Sequence, residues 1–489
     1  MRRAKIVCTL GPAVDTQELV TSLVRAGMDV ARMNMSHGNH EDHQRRYDMV
    51  RRAGDEVGRA VALLADLQGP KIRTGRFSDG PVTLNEGDRF VITNRDVPGD
   101  CHEVGTTHQA LPGDVEVEDD LLLDDGKVHL RATEVSDTDV VTEVLIGGEV
   151  SNNKGINLPG TAVSVPALSD KDADDLRWAL RAGVDLVALS FVRTGSDIED
   201  VHRIMDEEGI RRPVIAKIEK PQAVQNLHDI VSAFDAIMVA RGDLGVELPL
   251  EQVPLVQKRC IEMARRNAKP VIVATQVLES MVSSPRPTRA EASDCANAVL
   301  DGADAIMLSG ETSVGDWPVK AVETMDTIIE NIEEEALERI TPLGSKPKTT
   351  SGAVTRAAAD IATLLRVSFM VTFTQTGDSA RRMSRLRSSV PMLAFTPEPT
   401  TRSQLALTWG IETFLTDYVE HTDEMVMQVD EALLREKRCA AGDLIVIVAG
   451  SPPGVPGSIN ALRIHKVGDA VYGRTPAYAR LRALQEGRL

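Results

Sequence analysis

Lys217 and Glu219 end the run Val214-Ile215-Ala216-Lys217-Ile218-Glu219, and Asp243 follows the run Ile237-Met238-Val239-Ala240-Arg241-Gly242. If each apolar run is a strand, Lys217 and Glu219 share parity and project from one face. An ammonium then stands beside a carboxylate, and a second carboxylate arrives from another strand end. Such oxygen ligands suit Mg2+, which takes one or two protein carboxylates and completes its shell with water and substrate oxygens. A cation beside that metal is equipment for phosphoryl transfer. The flanking Arg241-Gly242 adds backbone amides that can approach an anion closely.

Other strand ends carry compatible groups. Arg32, Asn34 and Ser36 share parity, so a cation, an amide and a hydroxyl can line one mouth, with His37 in the loop beyond. Gly69-Pro70 fits a sharp chain exit, and Lys71 and Arg73 beyond it are good phosphate ligands. Thr275 and Ser309 could orient a carboxylate or a proton-carrying water, although either could equally cap a helix. The chain has no GxxxxGK[ST] segment, so phosphates must be held by strand-end cations and metal rather than by a P-loop.

The elements that position these groups follow from hydropathy. Short apolar runs at 5–9, 29–34, 61–65, 186–190, 214–218, 236–240, 271–275 and 305–309 each read as a strand, and helical periodicity follows all but the third directly. Eight βα units imply a TIM-type (β/α)8 barrel with its functional residues at the C-terminal strand ends. The interruption changes to short β-prone runs at 82–84, 89–92, 127–130 and 140–142. It is expected to be an inserted β-barrel that acts as a lid. After the linker-like stretch 341–348, a helix at 353–365 and strands at 369–374, 392–395, 412–415 and 444–449 suggest an open α/β layer. The expected domains are a barrel at 1–70 and 167–340, the insert at 71–166 and a regulatory α/β domain at 341–489. A terminal helix is expected at 475–489.

Aromatics make up only 3% of the chain, so the core must be aliphatic, as in parallel α/β sheets. A formal net charge of −18 disfavours nucleic acid and anionic membranes as partners and requires a local cationic pocket for any anionic substrate. Five cysteines without CxxC or Cys/His spacing argue for reduced thiols. With no signal-like or membrane-spanning run, the expectation is a soluble, cytoplasmic protein.

Taken together, the motifs resemble pyruvate kinases. The stretches are Lys5-Ile6-Val7-Cys8-Thr9-Leu10-Gly11-Pro12, Ala31-Arg32-Met33-Asn34-Met35-Ser36-His37-Gly38, Asn157-Leu158-Pro159-Gly160, Lys217-Ile218-Glu219, Ala240-Arg241-Gly242-Asp243-Leu244-Gly245, Ala274-Thr275-Gln276 and Leu308-Ser309-Gly310-Glu311-Thr312. The resemblance implies transfer of a phosphoryl group from phosphoenolpyruvate to ADP, giving ATP, and protonation of enolpyruvate to pyruvate. By similarity, Glu219 and Asp243 hold Mg2+, or Mn2+ in its place, and Lys217 and Arg73 meet the transferring phosphoryl. Arg32 joins the substrate side, where Ala240, Arg241, Gly242, Asp243 and Thr275 hold the substrate carboxylate. Thr275 and Ser309 relay the proton. Arg32, Asn34, His37 and Arg73 form the nucleotide side, closed by Lys154 from the lid. The family's potassium ligands align with Asn34, Ser36, Asp66 and Leu67. Potassium-dependent members carry Thr where this chain has Leu67 and Glu where it has Lys71, so activity without K+ is expected, the Lys71 ammonium taking the ion's place. The family also implies a homotetramer.

A strand leading through a glycine turn into a helix places Thr374, Gln375, Thr376, Gly377, Asp378 and Ser379 as an allosteric phosphate loop. This loop aligns with the family's effector pocket. Asp378, and the absence of a cation in Ser451-Pro452-Pro453-Gly454, favour a sugar monophosphate or AMP over a bisphosphate. A Mg2+-dependent aldolase of the related phosphoenolpyruvate/pyruvate barrels is an alternative that leaves the lid and third domain unexplained. A catalytically silent metabolite sensor leaves Lys217, Glu219, Asp243 and Thr275 unexplained.

Overall fold

The computed structural model describes residues 2–161, 164, 166, 168–344, 346–455, 457–473, 478–480 and 483. Most of the expected terminal helix at 475–489 therefore lies outside the described residues.

Strands Lys5–Thr9, Val30–Asn34, Ala62–Asp66, Leu186–Leu189, Val214–Ile218, Ala236–Ala240, Val271–Ala274 and Ala305–Leu308 close into a parallel barrel. Each pairs with the next, and the last pairs with the first. Inward parity runs through Val7, Val30, Leu64, Ala188, Ile215, Met238, Ile272 and Met307, which form one buried apolar cluster. Two residues further along the same faces stand Thr9, Arg32, Asp66, Ser190, Lys217, Ala240 and Ser309. The period-two alternation thus places an apolar plug beneath a polar mouth. Ala406 and Leu407 from the C-terminal part seal the other end of that plug.

Local chemistry explains the helix boundaries. Reciprocal capping boxes start the helices His40–Val57, Asp170–Ala182 and Arg289–Asp301. Left-handed Gly58, Gly183 and Gly302 terminate the same three.

The insert is built of β-strands. Its described strands form a six-stranded sheet and a separate two-stranded ribbon of Val82–Leu84 with Gly148–Val150. Irregularities in the pairing of Val128–Val135 with Asp139–Ile146 bend the sheet, as bulges do. Its outermost strands, Ile156–Asn157 and Glu103–Gly105, are linked through residues 72–75, where Arg73 bridges Gly155 and Thr74 bridges Thr106. The C-terminal sheet runs Ile411–Leu415, Met392–Thr396, Phe369–Phe373, Leu444–Gly450 and Ile459–Lys466, open at both edges, with the last strand antiparallel. No described helix is long and apolar enough to cross a membrane.

Candidate active site

Lys217 organises the mouth. Its Nζ lies 2.9 Å from Glu219 Oε1 and 3.4 Å from Asp66 Oδ1, and it donates to Ser190 Oγ at 2.7 Å. Arg32 Nε lies 2.6 Å from the other Asp66 oxygen, and Arg32 also donates to Thr9 Oγ1 at 3.0 Å. The result is a chain of alternating charges, Arg32, Asp66, Lys217 and Glu219, supplied by three strand ends. Burial opposes the charge on Lys217, but Asp66 and Glu219 outweigh it and hold the ammonium pKa above its ordinary value. Burial likewise opposes the Asp66 charge, yet Lys217 and Arg32 pull its pKa below the usual range.

Glu219 is 1% exposed and accepts the Phe191 N–H at 2.8 Å. Its pKa is raised by burial, against Lys217 and with repulsion from Asp243. The Asp243 charge therefore acts on the Glu219 carboxylate. Among the described residues no three His, Cys, Asp or Glu side chains cluster to cage a metal. Two carboxylates, the second of which disfavours the charge of the first, able to leave most positions to water and substrate, fit Mg2+.

Beside them Gly242 N–H donates to Thr275 Oγ1 at 2.7 Å, while the Thr275 hydroxyl donates to the Ala274 carbonyl at 2.7 Å. Thr275 has φ +68°, unusual for a β-branched residue. The seventh strand consequently ends one residue early, at Ala274, and the hydroxyl turns toward the start of helix Arg241–Glu247. A Cβ on Gly242 would come within 3.1 Å of Thr275 Oγ1. Arg241 turns its guanidinium away, 2.7 Å from Asp294 and onto the Thr275 carbonyl, so only its backbone faces the mouth. Ser309 follows the eighth strand, with its N–H donated to Glu311 at 2.7 Å. Its buried Oγ has no partner among the described residues.

The nucleotide-side candidates are only partly assembled. Asn34 Oδ1 accepts the Ser36 N–H at 3.2 Å. Burial, with Lys71, Arg73 and Arg32, depresses the His37 pKa, so these cations share one electrostatic neighbourhood. Arg73 reaches the Asn153 carbonyl. Lys154 pairs with Asp124 at 2.9 Å, within the insert. Leu67 is 1% exposed and presents no side-chain oxygen. Between barrel and insert, Lys71, Asn157, Phe191, Lys220 and Asp243 help line a cleft. Asn157 donates to Glu247 across it at 3.0 Å, and Lys220 pairs with the same carboxylate.

The family description for the pyruvate kinase barrel domain matches residues 1–322, and that for the pyruvate kinase alpha/beta domain matches 352–465. The chain belongs to the pyruvate kinase family. Among curated relatives, a pyruvate kinase of Mycobacterium intracellulare is 58% identical over 96% of this chain and 99% of its own. One from Corynebacterium glutamicum is 57% identical over 96% and 98%. A crystal structure of a Cryptosporidium parvum pyruvate kinase superposes with a TM-score of 0.89 at 34% identity, covering 95% of this chain and 96% of that one. The protein is accordingly an enzyme, a phosphotransferase.

Ser190 and Glu311 went unassigned in the motif reading. Ser190 had a signal, the inward parity of the fourth strand end. Glu311, fully buried and accepting the Ser309 and Leu278 N–H groups, shows its role only in three dimensions.

Proposed function

We propose that this enzyme transfers the phosphoryl group of phosphoenolpyruvate to ADP with Mg2+, or Mn2+, as cofactor, and protonates the enolpyruvate formed, in glycolysis. The observation that carries this reading is Lys217 held charged between Asp66 and Glu219 at the barrel mouth. Glu219 and Asp243 would hold the metal, which supplies neutralising charge to substrate oxygens. Lys217 and Arg73 neutralise charge on the transferring phosphoryl, and Lys217 also stabilises the enolate oxygen, as preorganised cations do. The backbone from Ala240 to Asp243 positions the substrate carboxylate, locked through Gly242 N–H on Thr275. Because the Thr275 hydroxyl proton is committed to Ala274, we assign the proton relay to Ser309, whose hydroxyl is unpartnered.

Arg32, Asn34 and His37 would face the nucleotide. Residues 71–166 would act as the lid, with Lys154 leaving Asp124 for the nucleotide on closure. Lys71 would replace K+ beside Asn34, Ser36 and Asp66. In the C-terminal domain the loop Thr374 to Ser379 borders a pocket with Tyr418, Pro452 and Gly454, without Lys or Arg in its described lining. We assign it one phosphate of an activating sugar monophosphate or AMP. A cytoplasmic homotetramer completes the proposal. The deciding assay follows pyruvate and ATP from phosphoenolpyruvate and ADP, with and without Mg2+. Equal, Mg2+-dependent yields support it, and phosphate release without ATP contradicts it.

A further inference from the structure

The chain enters the insert after strand Ala62–Asp66 and returns to the barrel at helix Asp170–Ala182. One buried carboxylate joins the two crossings. Asp172 is 0% exposed, and its Oδ1 accepts the Gly69 N–H at 3.0 Å on the outgoing side. Its Oδ2 accepts the N–H and the hydroxyl of Ser169, at 3.0 and 2.5 Å, on the returning side. Helix capping accounts for the Ser169 half of this arrangement. It does not account for Gly69, 103 residues earlier in the chain. A carboxylate is costly to bury unless donors surround it, so the Gly69 bond is part of what lets Asp172 sit there.

The turn gripped by Asp172 is also braced by the catalytic mouth. Ser190 Oγ donates to the Leu67 carbonyl at 2.7 Å and accepts from Lys217. The Gly69 carbonyl accepts the Lys71 N–H at 2.9 Å, so the position of Gly69 sets where Lys71, and Arg73 after it, begin. The same helical turn holds the neighbouring loop. Lys171 donates to the Met35 carbonyl at 2.8 Å and pairs with Asp175 at 2.5 Å, and Asp175 lies 2.8 Å from His40 Nε2. Met35 stands between Asn34 and Ser36. Two adjacent residues, Lys171 and Asp172, thus anchor the loops that follow the second and third strands.

We propose that Asp172 is a positioning residue for phosphoryl transfer. By tying Gly69 to Ser169 it makes the two connections to the insert a single pivot, and that pivot fixes the approach of Lys71, Arg73 and Lys154 to the phosphates. The proposal rests on the reading of residues 71–166 as a lid. Two crossings free to bend separately let such a lid tilt and twist, whereas crossings joined at one carboxylate confine it to rotation about that point. Misplacing a reacting group by about 1 Å can cost roughly a hundredfold in rate, so a loosened pivot shows in turnover even though Asp172 itself is buried.

The test measures distances by pulsed electron spin resonance on the full chain. One spin label sits on Cys101, the exposed cysteine of the insert, and the other on Glu199→Cys, an exposed position on the barrel helix Ile198–Glu208; the remaining four cysteines are buried. Asp172→Asn presents one acceptor oxygen in place of two, so it cannot hold both crossings. It should broaden the distance distribution and lower kcat by about tenfold to a hundredfold, and Asp172→Ala should do so at least as strongly. Ser169→Ala removes the capping hydroxyl but keeps the backbone N–H on Asp172. It should lower the melting temperature and leave the distribution width and kcat near those of the wild type. Thermal melts establish which variants are folded. Wild-type width and turnover in folded Asp172→Asn overturn the proposal. So does Ser169→Ala broadening the distribution as much as Asp172→Asn, because helix capping alone would then explain the effect. Lid movement is read separately, from the shift of the wild-type distribution when Mg2+ and ADP are added: the absence of a shift contradicts the lid, while the widths and kcat values still decide the pivot.

Discussion

Replacing Lys217 by Met removes the cation that lies 2.9 Å from Glu219 and 3.4 Å from Asp66. With an effective dielectric of about 20, those separations correspond to roughly 6 and 5 kcal/mol of attraction. Desolvation of the buried ions cancels much of this, and breaking a buried pair typically costs about 3–5 kcal/mol. Asp66 keeps Arg32 at 2.6 Å, so only Glu219 is left without a cation and the expected loss is about 3 kcal/mol, the lower end of that range. Turnover should fall by roughly a hundredfold to a thousandfold, the scale for losing one preorganised electrostatic group. The assays are urea unfolding and pyruvate release at saturating Mg2+. Lys217→Met/Glu219→Gln should recover most of the stability, because the orphaned carboxylate is gone, and none of the activity. Normal turnover in Lys217→Met, or a double variant no more stable than the single one, would refute the reasoning.

Three further outcomes are expected. Activity should persist in K+-free, Na+-free buffer, and Lys71→Glu should create a K+ requirement; wild-type activity restored only by K+ would end that assignment. Gly69 has φ +74°, and an added Cβ would lie 2.7 Å from Phe191 and 2.8 Å from Ser190, so Gly69→Ala should lower unfolding free energy by roughly 1–3 kcal/mol. Because Ser190 accepts from Lys217, Gly69→Ala should also slow turnover; an unchanged denaturation midpoint would contradict this. Burial and Arg46 depress the His43 pKa below its ordinary 6.5, so its contribution to stability is present above pH 6.5 and is lost as pH falls through the depressed value. His43→Gln should flatten the acid limb of stability against pH, and an unaltered limb would exclude His43 as a source.

The barrel and its mouth were legible because one periodicity governs both. Counting by two from Val30 leads to Arg32 and Asn34, and from Ile215 to Lys217 and Glu219. Metal-ligand chemistry then singles out the acids. Thr275 illustrates what could not be read: its left-handed backbone ends the seventh strand early and spends the hydroxyl on Gly242 and Ala274, and no local pattern announces a β-branched residue in that conformation. Lys154 points to Asp124 through a contact thirty residues distant in sequence, invisible to any local window. The short strands Glu103–Gly105 and Gly148–Val150 and the edge strand Ile459–Lys466 were missed for a related reason. Each is too brief or too polar to alternate clearly, and tertiary pairing supplies what propensity does not.

The claim on which the mechanism depends is that Glu219 and Asp243 together hold the divalent ion. Paramagnetic titration of Mn2+ into the full chain, with phosphoenolpyruvate present, counts that site without requiring turnover. The account predicts one substrate-linked Mn2+ per chain in the wild type and its loss in a folded Glu219→Gln/Asp243→Asn variant. The same stoichiometry and affinity in both proteins would contradict it.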